Sequence, residues 1–185
     1  MLPIEMPVIT RPPIVLRAFR GEDAGLIQSV AGDALIPLIT SVPASGDASD
    51  ARAYIERQHE RLASGAGYSF TIADALTSEA VGQAGLWLRN LDEGRASTGY
   101  WVAARFRQRH YATAALGAIS RWGLSLEGIH RVELYVEPWN EGSWRAAERV
   151  GYVREGLLRS WQQVGTERRD MYMYSLLPED LTASS

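Results

Sequence analysis

The stretch Gly99-Tyr-Trp-Val-Ala-Ala-Arg-Phe-Arg-Gln-Arg-His-Tyr-Ala-Thr-Ala-Ala-Leu116 decides how the 185-residue chain is read. It runs out of a strand, through a loop with arginines at 105, 107 and 109, and into a helix. A strand feeding a helix N-terminus presents unpaired backbone N–H groups and a positive dipole end, a setting that suits phosphate or pyrophosphate. Arg105, Arg107 and Arg109 would add charge-assisted donors. On charge alone, the same loop also reads as a solvated basic connection.

Downstream, Ala115, Leu116, Ile119, Trp122, Gly123 and Leu126 place one helix face over Tyr111 to Leu126. The alternation of Val132, Leu134 and Val136 predicts a strand over His130–Glu137. A short helix at Ser143–Val150 follows, with Asn140 as a candidate cap and Gly151 as a left-handed terminator. Two last strands are expected at Tyr152–Val164 and Arg168–Leu176. Upstream, strands are expected at Ile14–Phe19, Tyr68–Ala73, Ala80–Asn90 and Arg95–Ala103, the last two as an antiparallel hairpin. Helical patterns fall at Gly21–Gly32 and after Asp47 or Ser49. The long connection Asp33–Ser49 between them has the length of a functional loop. Repeats and linker signals are absent, so one domain is expected over 14–178. Residues 1–13, with four prolines, read as a poorly ordered lead-in, and 179–185 as a tail.

All 19 basic side chains are arginine and there is no cysteine. Lysine Schiff bases, a P-loop lysine, thiol nucleophiles, disulfides and cysteine-ligated metals are therefore excluded. His59, His110 and His130 are scattered without ligand spacing, so no metal site is expected. A net charge of −3 carries no footprint for general nucleic-acid binding. No stretch approaches the ~20 apolar residues of a membrane span, and the N-terminus lacks an export signal; a cytoplasmic protein is expected.

In order, the chain carries Ile14-Val15-Leu16-Arg17, Asp23-Ala24, Val81-Gly82, Gly99-Tyr100-Trp101-Val102, Tyr111-Ala112-Thr113 and Arg131-Val132-Glu133-Leu134. Pro138-x-Asn140-x-x-Ser143, Gly151-Tyr152-x-x-Glu155-Gly156-x-x-Arg159 and Arg169-Asp170 follow. Together these resemble the GNAT superfamily of acyl-CoA N-acyltransferases, in its ribosomal-protein, RimJ/RimL-like branch. The resemblance implies an α/β (α+β) fold: a mixed, twisted sheet of about seven strands with helices on both faces. A central parallel pair, 95–103 and 130–137, would splay apart. Pantetheine of acetyl-CoA or another acyl-CoA would enter the gap against the backbone of Trp101, Val102 and Ala103. Its pyrophosphate would lie over Arg105, Arg107, Gln108, Arg109, His110, Tyr111, Ala112 and Thr113, with Asn140 and Ser143 on the thioester side. The implied reaction is direct transfer in a ternary complex to a primary amine, a protein N-terminus first. A small-molecule or antibiotic amine, or a non-catalytic CoA-binding role, is the alternative.

Three departures from the family pattern shape the site. Gln108 and His110 stand where the loop normally has glycine, so either the loop tolerates them or cofactor affinity falls. Ala147 stands where many members carry a proton-donating tyrosine, leaving Ser143 as the candidate general acid. Gln162 stands where the branch can place a carboxylate base, and an amide cannot accept that proton. Glu137 and Glu155 are the nearest substitutes, each with a structural reading: an exposed strand end and a turn. Glu137 is the candidate base, with water relayed to solvent as the alternative. Trp87, Trp101 and Trp122 read as core, whereas Trp139, Trp144 and Trp161 read as an acceptor-cleft lining or a homodimer surface.

Overall fold

Phe70, Ile72, Ala84, Leu86, Val132 and Leu134 recur two apart along three segments, and each is at most 3% exposed. That is the period of pleated strands with one face on a core. The computed structural model describes residues 2–182. Its strands are β1 (Ile9–Arg11), β2 (Ile14–Arg17), β3 (Gly67–Asp74), β4 (Ala80–Asn90), β5 (Arg95–Val102), β6 (Arg131–Val136), β7 (Val153–Val164) and β8 (Glu167–Leu176). Its helices are α1 (Ala24–Ser29), α2 (Ile36–Ile39), α3 (Ala48–Ala63), α4 (Tyr111–Leu124), α5 (Glu141–Val150) and α6 (Pro178–Thr182).

Among the described residues the sheet has eight strands, in the order β1-β2-β3-β4-β5-β6-β8-β7. The expected count was about seven. The extra strand comes from the lead-in, where Ile9, Thr10 and Arg11 pair antiparallel with Leu16, Val15 and Ile14. Pro7 and Pro12 flank β1, which lies at the sheet edge, where missing N–H donors are tolerated. At the other end, α6 begins at Pro178, one residue before the expected tail, and runs into it; Met1 and residues 183–185 lie outside the described residues.

Helices cover both faces. On α4, a Cβ at Gly123 would meet Leu86 at 3.1 Å and Val132 at 3.5 Å, so this helix lies against the face carrying those side chains. On α3, Gln58 accepts from Ser69 at 3.0 Å, on the opposite face. The segment read as a helix over 21–32 splits into a 3-10 turn at Gly21–Asp23 and α1. The cause is Asp23, whose buried carboxylate binds Arg17 (2.8 Å), the Arg20 amide (2.8 Å) and Thr71 (3.0 Å).

β5 and β6 are the parallel neighbours, and their pairing stops early. Register runs from Arg95↔Arg131 to Thr98↔Leu134, although β5 continues to Val102 and β6 to Val136. Each strand stays paired on its outer side over that length, β5 with β4 and β6 with β8. Twist carries the two antiparallel halves apart, which opens a gap beyond Thr98. Among the described residues no helix is long and apolar enough to cross a membrane.

Candidate active site

The gap exposes backbone in a fixed pattern. The Ala103 N–H donates to Val81 O at 3.0 Å, and the Trp101 carbonyl is turned toward Gly82 on β4. Alternation along the strand turns the backbone groups of Tyr100 and Val102 the other way, into the gap. Of the three residues expected to offer backbone there, Trp101 and Ala103 are thus committed to β4, and Tyr100 joins Val102 instead. The Val102 carbonyl accepts from Arg107 Nε at 3.2 Å.

The loop that follows adopts the shape normally reserved for glycine. Gln108 and His110 both have φ of 63°, the left-handed region. Each costs roughly 1–2 kcal/mol relative to glycine for the crowding of its Cβ. The backbone therefore keeps the curvature of a glycine loop while carrying two side chains. His110 is the N-cap of α4 and makes no side-chain cap bond, and the first intrahelical acceptor is used by Ala114. The N–H groups of Tyr111, Ala112 and Thr113 thus begin a helix without intrahelical partners.

The three arginines diverge. Arg105 lies over Phe106 and 3.6 Å from Glu79, and Arg109 also faces the Phe106 ring. Arg107 donates to Asp33 Oδ2 at 2.8 Å. Tyr111 donates to Asp74 Oδ2 at 2.5 Å; this bond and two backbone amides hold the Asp74 carboxyl down at about 2.

At the mouth of the gap, Asn140 caps α5 by accepting from the Ser143 N–H at 3.2 Å, and Gly151 ends that helix at φ 104°. A cap of this kind contributes about 1 kcal/mol. It fixes Ser143 on the first turn, where its Oγ lies 3.0 Å from the Tyr100 hydroxyl. Burial pushes the Tyr100 phenol up, so it stays protonated. Ala147, one turn along α5, is fully buried. The strand tyrosine thus supplies a hydroxyl beside Ser143 that the helix lacks.

A cleft of about 780 Å³ opens on the opposite side of the sheet and reaches the same gap. Its walls include Tyr100, Asn140 and Ser143 at one end, Glu137 and Gln162 beside them, and Arg61 and Arg89 farther out. The Trp87 ring lies across Gly85, where a Cβ would come within 2.2 Å of it, and the Arg61 guanidinium lies 5.6 Å from the ring centre. Below the floor, Gln83 binds Trp101 Nε1 (2.8 Å), Ser69 (2.7 Å) and the Tyr54 hydroxyl, a buried network that holds β5 in place.

Two carboxylates line the cleft. Glu133 is fully engaged, by Arg131 (2.9 Å), Arg95 (3.3 Å) and the Tyr135 hydroxyl (2.8 Å), and these partners hold it below the usual carboxylate range against its burial. Glu137 is 9% exposed, not an exposed strand end, and Trp139 Nε1 donates to its Oε2 at 2.7 Å. Glu155 lies elsewhere, not in a turn but inside β7 at a break in its register with β8, where it is bound to Arg131 and Ser175.

The tryptophans also sort differently. Trp161 stacks on Tyr135 and lines the cleft, whereas Trp139 and Trp144 do not line it. Trp87, read as core, is half-buried on the cleft floor. Sequence reading missed Tyr100, Trp87 and Gln83 as site residues. Period-two alternation from Gly99 was the available signal: it separates Tyr100 from Trp101 and gives them opposite faces.

Residues 14–153 match the acetyltransferase (GNAT) domain family. The N-acetyltransferase p20 of Bacillus licheniformis is 26% identical over 167 residues, spanning 90% of this chain and 94% of that protein. Mycobacterium smegmatis RimJ in complex with a CoA disulfide superposes with a TM-score of 0.78 at 24% identity, covering 95% of this chain and 88% of that one. RimL, a ribosomal α-N-protein acetyltransferase solved with coenzyme A, superposes with a TM-score of 0.79 at 16% identity, covering 92% and 98%. The parted β5–β6 pair, the curved loop into α4 and the family match together establish the conclusion: this chain belongs to the GNAT family of acetyltransferases and is an N-acetyltransferase.

Proposed function

We propose that the protein moves an acetyl group from acetyl-CoA to the α-amine of a protein N-terminus by direct transfer within a ternary complex. The observation that carries this reading is the Tyr100–Ser143 hydroxyl pair, set where the gap and the open cleft meet. RimJ and RimL, both solved with CoA, support the cofactor, and RimL, an α-N-protein acetyltransferase, supports the acceptor class.

The residues fit such a cofactor. Tyr100 and Val102 turn backbone groups into the gap, and Gln108 and His110 curve the loop into α4, whose first amides, those of Tyr111–Thr113, have no intrahelical partners. Arg105, Arg107 and Arg109 supply charge for a diphosphate. Acetyl-CoA brings the activated thioester; the protein aligns it with the amine, which supplies up to roughly 7–11 kcal/mol of the acceleration in favourable systems.

The new N–C bond forms as the C–S bond breaks. Glu137 takes the proton that the attacking amine releases, and Ser143, hydrogen-bonded to Tyr100, gives a proton to the departing sulfur. That thiol has a pKa near ~8.5, so it needs modest help. No cysteine or lysine is available for an acyl-enzyme.

Mass spectrometry of peptide and small-amine mixtures incubated with acetyl-CoA tests the reading. A 42-dalton gain, roughly one acetyl per peptide α-amine, is the expected product. Acetylation of small amines alone would replace the protein acceptor with a small-molecule one.

A further inference from the structure

We infer that the acceptor peptide carries an acidic side chain within about three residues of its N-terminus, read by Arg61 and Arg89. The inference rests on the N-terminal reading above and names its substrate class more narrowly.

The cleft's charges are asymmetrically satisfied. Glu133 is surrounded by Arg95, Arg131 and Tyr135, which leaves it no call for a ligand cation. At the outer wall, Arg61 of α3 and Arg89 of β4 line the cleft, and among the described residues neither forms an ion pair with a carboxylate. Arg61 is held in place over Trp87 and reaches Ser41 Oγ only at 3.5 Å. The Arg61 guanidinium, held over the aromatic floor, and the exposed Arg89 on the same cleft wall form a receptor for an anion; a carboxylate suits their fork geometry.

Position gives the spacing. A Cβ at Gly99, where β5 and β6 begin to part, would lie 3.7 Å from the Trp87 ring, and the Arg61 guanidinium stands 5.6 Å from that ring's centre. Laid end to end across the ring, these steps put the anion site no more than roughly 11 Å from the start of the gap, at most about three residues of extended chain at ~3.3 Å each. An extended peptide spans the cleft with its amine beside Glu137 and its backbone crossing Trp87.

The test compares two tetrapeptide amides, Ser-Ala-Glu-Ala and Ser-Ala-Gln-Ala, as acceptors for acetyl-CoA. The acidic peptide should have a kcat/KM about tenfold higher, with the advantage shrinking as salt is raised. In the Arg61→Gln, Arg89→Gln double variant the ratio should fall below about twofold. Arg52→Gln, an exposed arginine of α3 outside the cleft, should keep the full ratio. Equal turnover of both peptides by the unmodified enzyme, or a preference that survives in the double variant, overturns the inference while the N-terminal reading stands. Acetylation of small amines with neither peptide modified overturns both. If no amine is turned over, calorimetric titration of the acidic peptide into the CoA-saturated protein decides; absence of heat overturns the inference.

Discussion

The hydroxyls of Tyr100 and Ser143 lie 3.0 Å apart, joining a strand and a helix whose positions are separated by 43 residues in the chain. The first is aimed by strand alternation, the second by the Asn140 cap. If the pair gives the sulfur its proton as one unit, its members should be strongly non-additive. Ser143→Ala should lower kcat by roughly 30- to 100-fold, Tyr100→Phe by about tenfold, and the double variant by no more than Ser143→Ala alone. Single-turnover kinetics with acetyl-CoA and a peptide acceptor would measure this. Losses that multiply in the double variant would show two independent contributions instead.

The loop makes a second prediction. Gln108 holds φ of 63° with a side chain that is not β-branched. Gln108→Gly relieves crowding but frees the unfolded chain, so stability should change by less than about 1 kcal/mol. Gln108→Val should cost about 2 kcal/mol or more and weaken CoA binding at least about tenfold, because a β-branched residue resists this conformation. Thermal unfolding and calorimetry with CoA check the two parts. Tight CoA binding by the valine variant would show that the loop's curvature is not what receives the diphosphate.

Asp33 ties the cleft wall to that loop. Its Oδ1 accepts from the amides of Leu35 and Ile36, starting α2, while its Oδ2 takes Arg107 at 2.8 Å. These bonds hold its carboxyl below the usual range despite burial. Leu35 and Ile39 line the cleft. Asp33→Asn retains an oxygen for the amides and should change the acceptor KM less than about twofold; Asp33→Ala removes the acceptor of both amides and should raise it about fivefold or more. Equal effects of the two variants in steady-state kinetics would assign the role to the ion pair.

The strands were legible because their signals are local: Ala80–Asn90 was read with the bounds the structure has, and the others within one or two residues. The β5–β6 pair followed from a resemblance, since no local pattern states which strands will lie side by side. β1 was missed because four prolines outweigh a three-residue pairing that exists only once β2 is in place. The site was legible where a motif is contiguous, as at Asn140-x-x-Ser143. It was not legible where partners meet through the tertiary fold. Tyr100 meets Ser143 across the sheet, Trp87 lies flat only because Gly85 leaves room, and Glu137 turns inward once Trp139 binds it. The left-handed backbone at Gln108 and His110 was equally hidden, because propensity there favours the opposite sign of φ.

Acid sensitivity supplies the last prediction. Glu155 binds Arg131 in a bidentate pair at 2.8 and 2.5 Å and accepts from Ser175 at 2.7 Å. The hydrogen bond from Arg131, then that from Ser175, pulls its carboxyl from about 4.5 down to about 2. A carboxylate with a depressed folded value binds fewer protons folded than unfolded, so its contribution is fully present above about pH 4.5. That contribution is lost as pH falls toward about 2. Glu155→Gln should therefore lower the thermal midpoint at pH 7 and narrow its gap to the unmodified protein as pH drops through that window. Because Glu155 is partly exposed, added salt should also reduce the effect at pH 7. Thermal unfolding followed by circular dichroism at pH 7, 5, 4 and 3, roughly spanning the titration, measures the gap. A difference that stays constant across those values would mean that Glu155 stabilises β7 by packing alone, with no contribution from its charge.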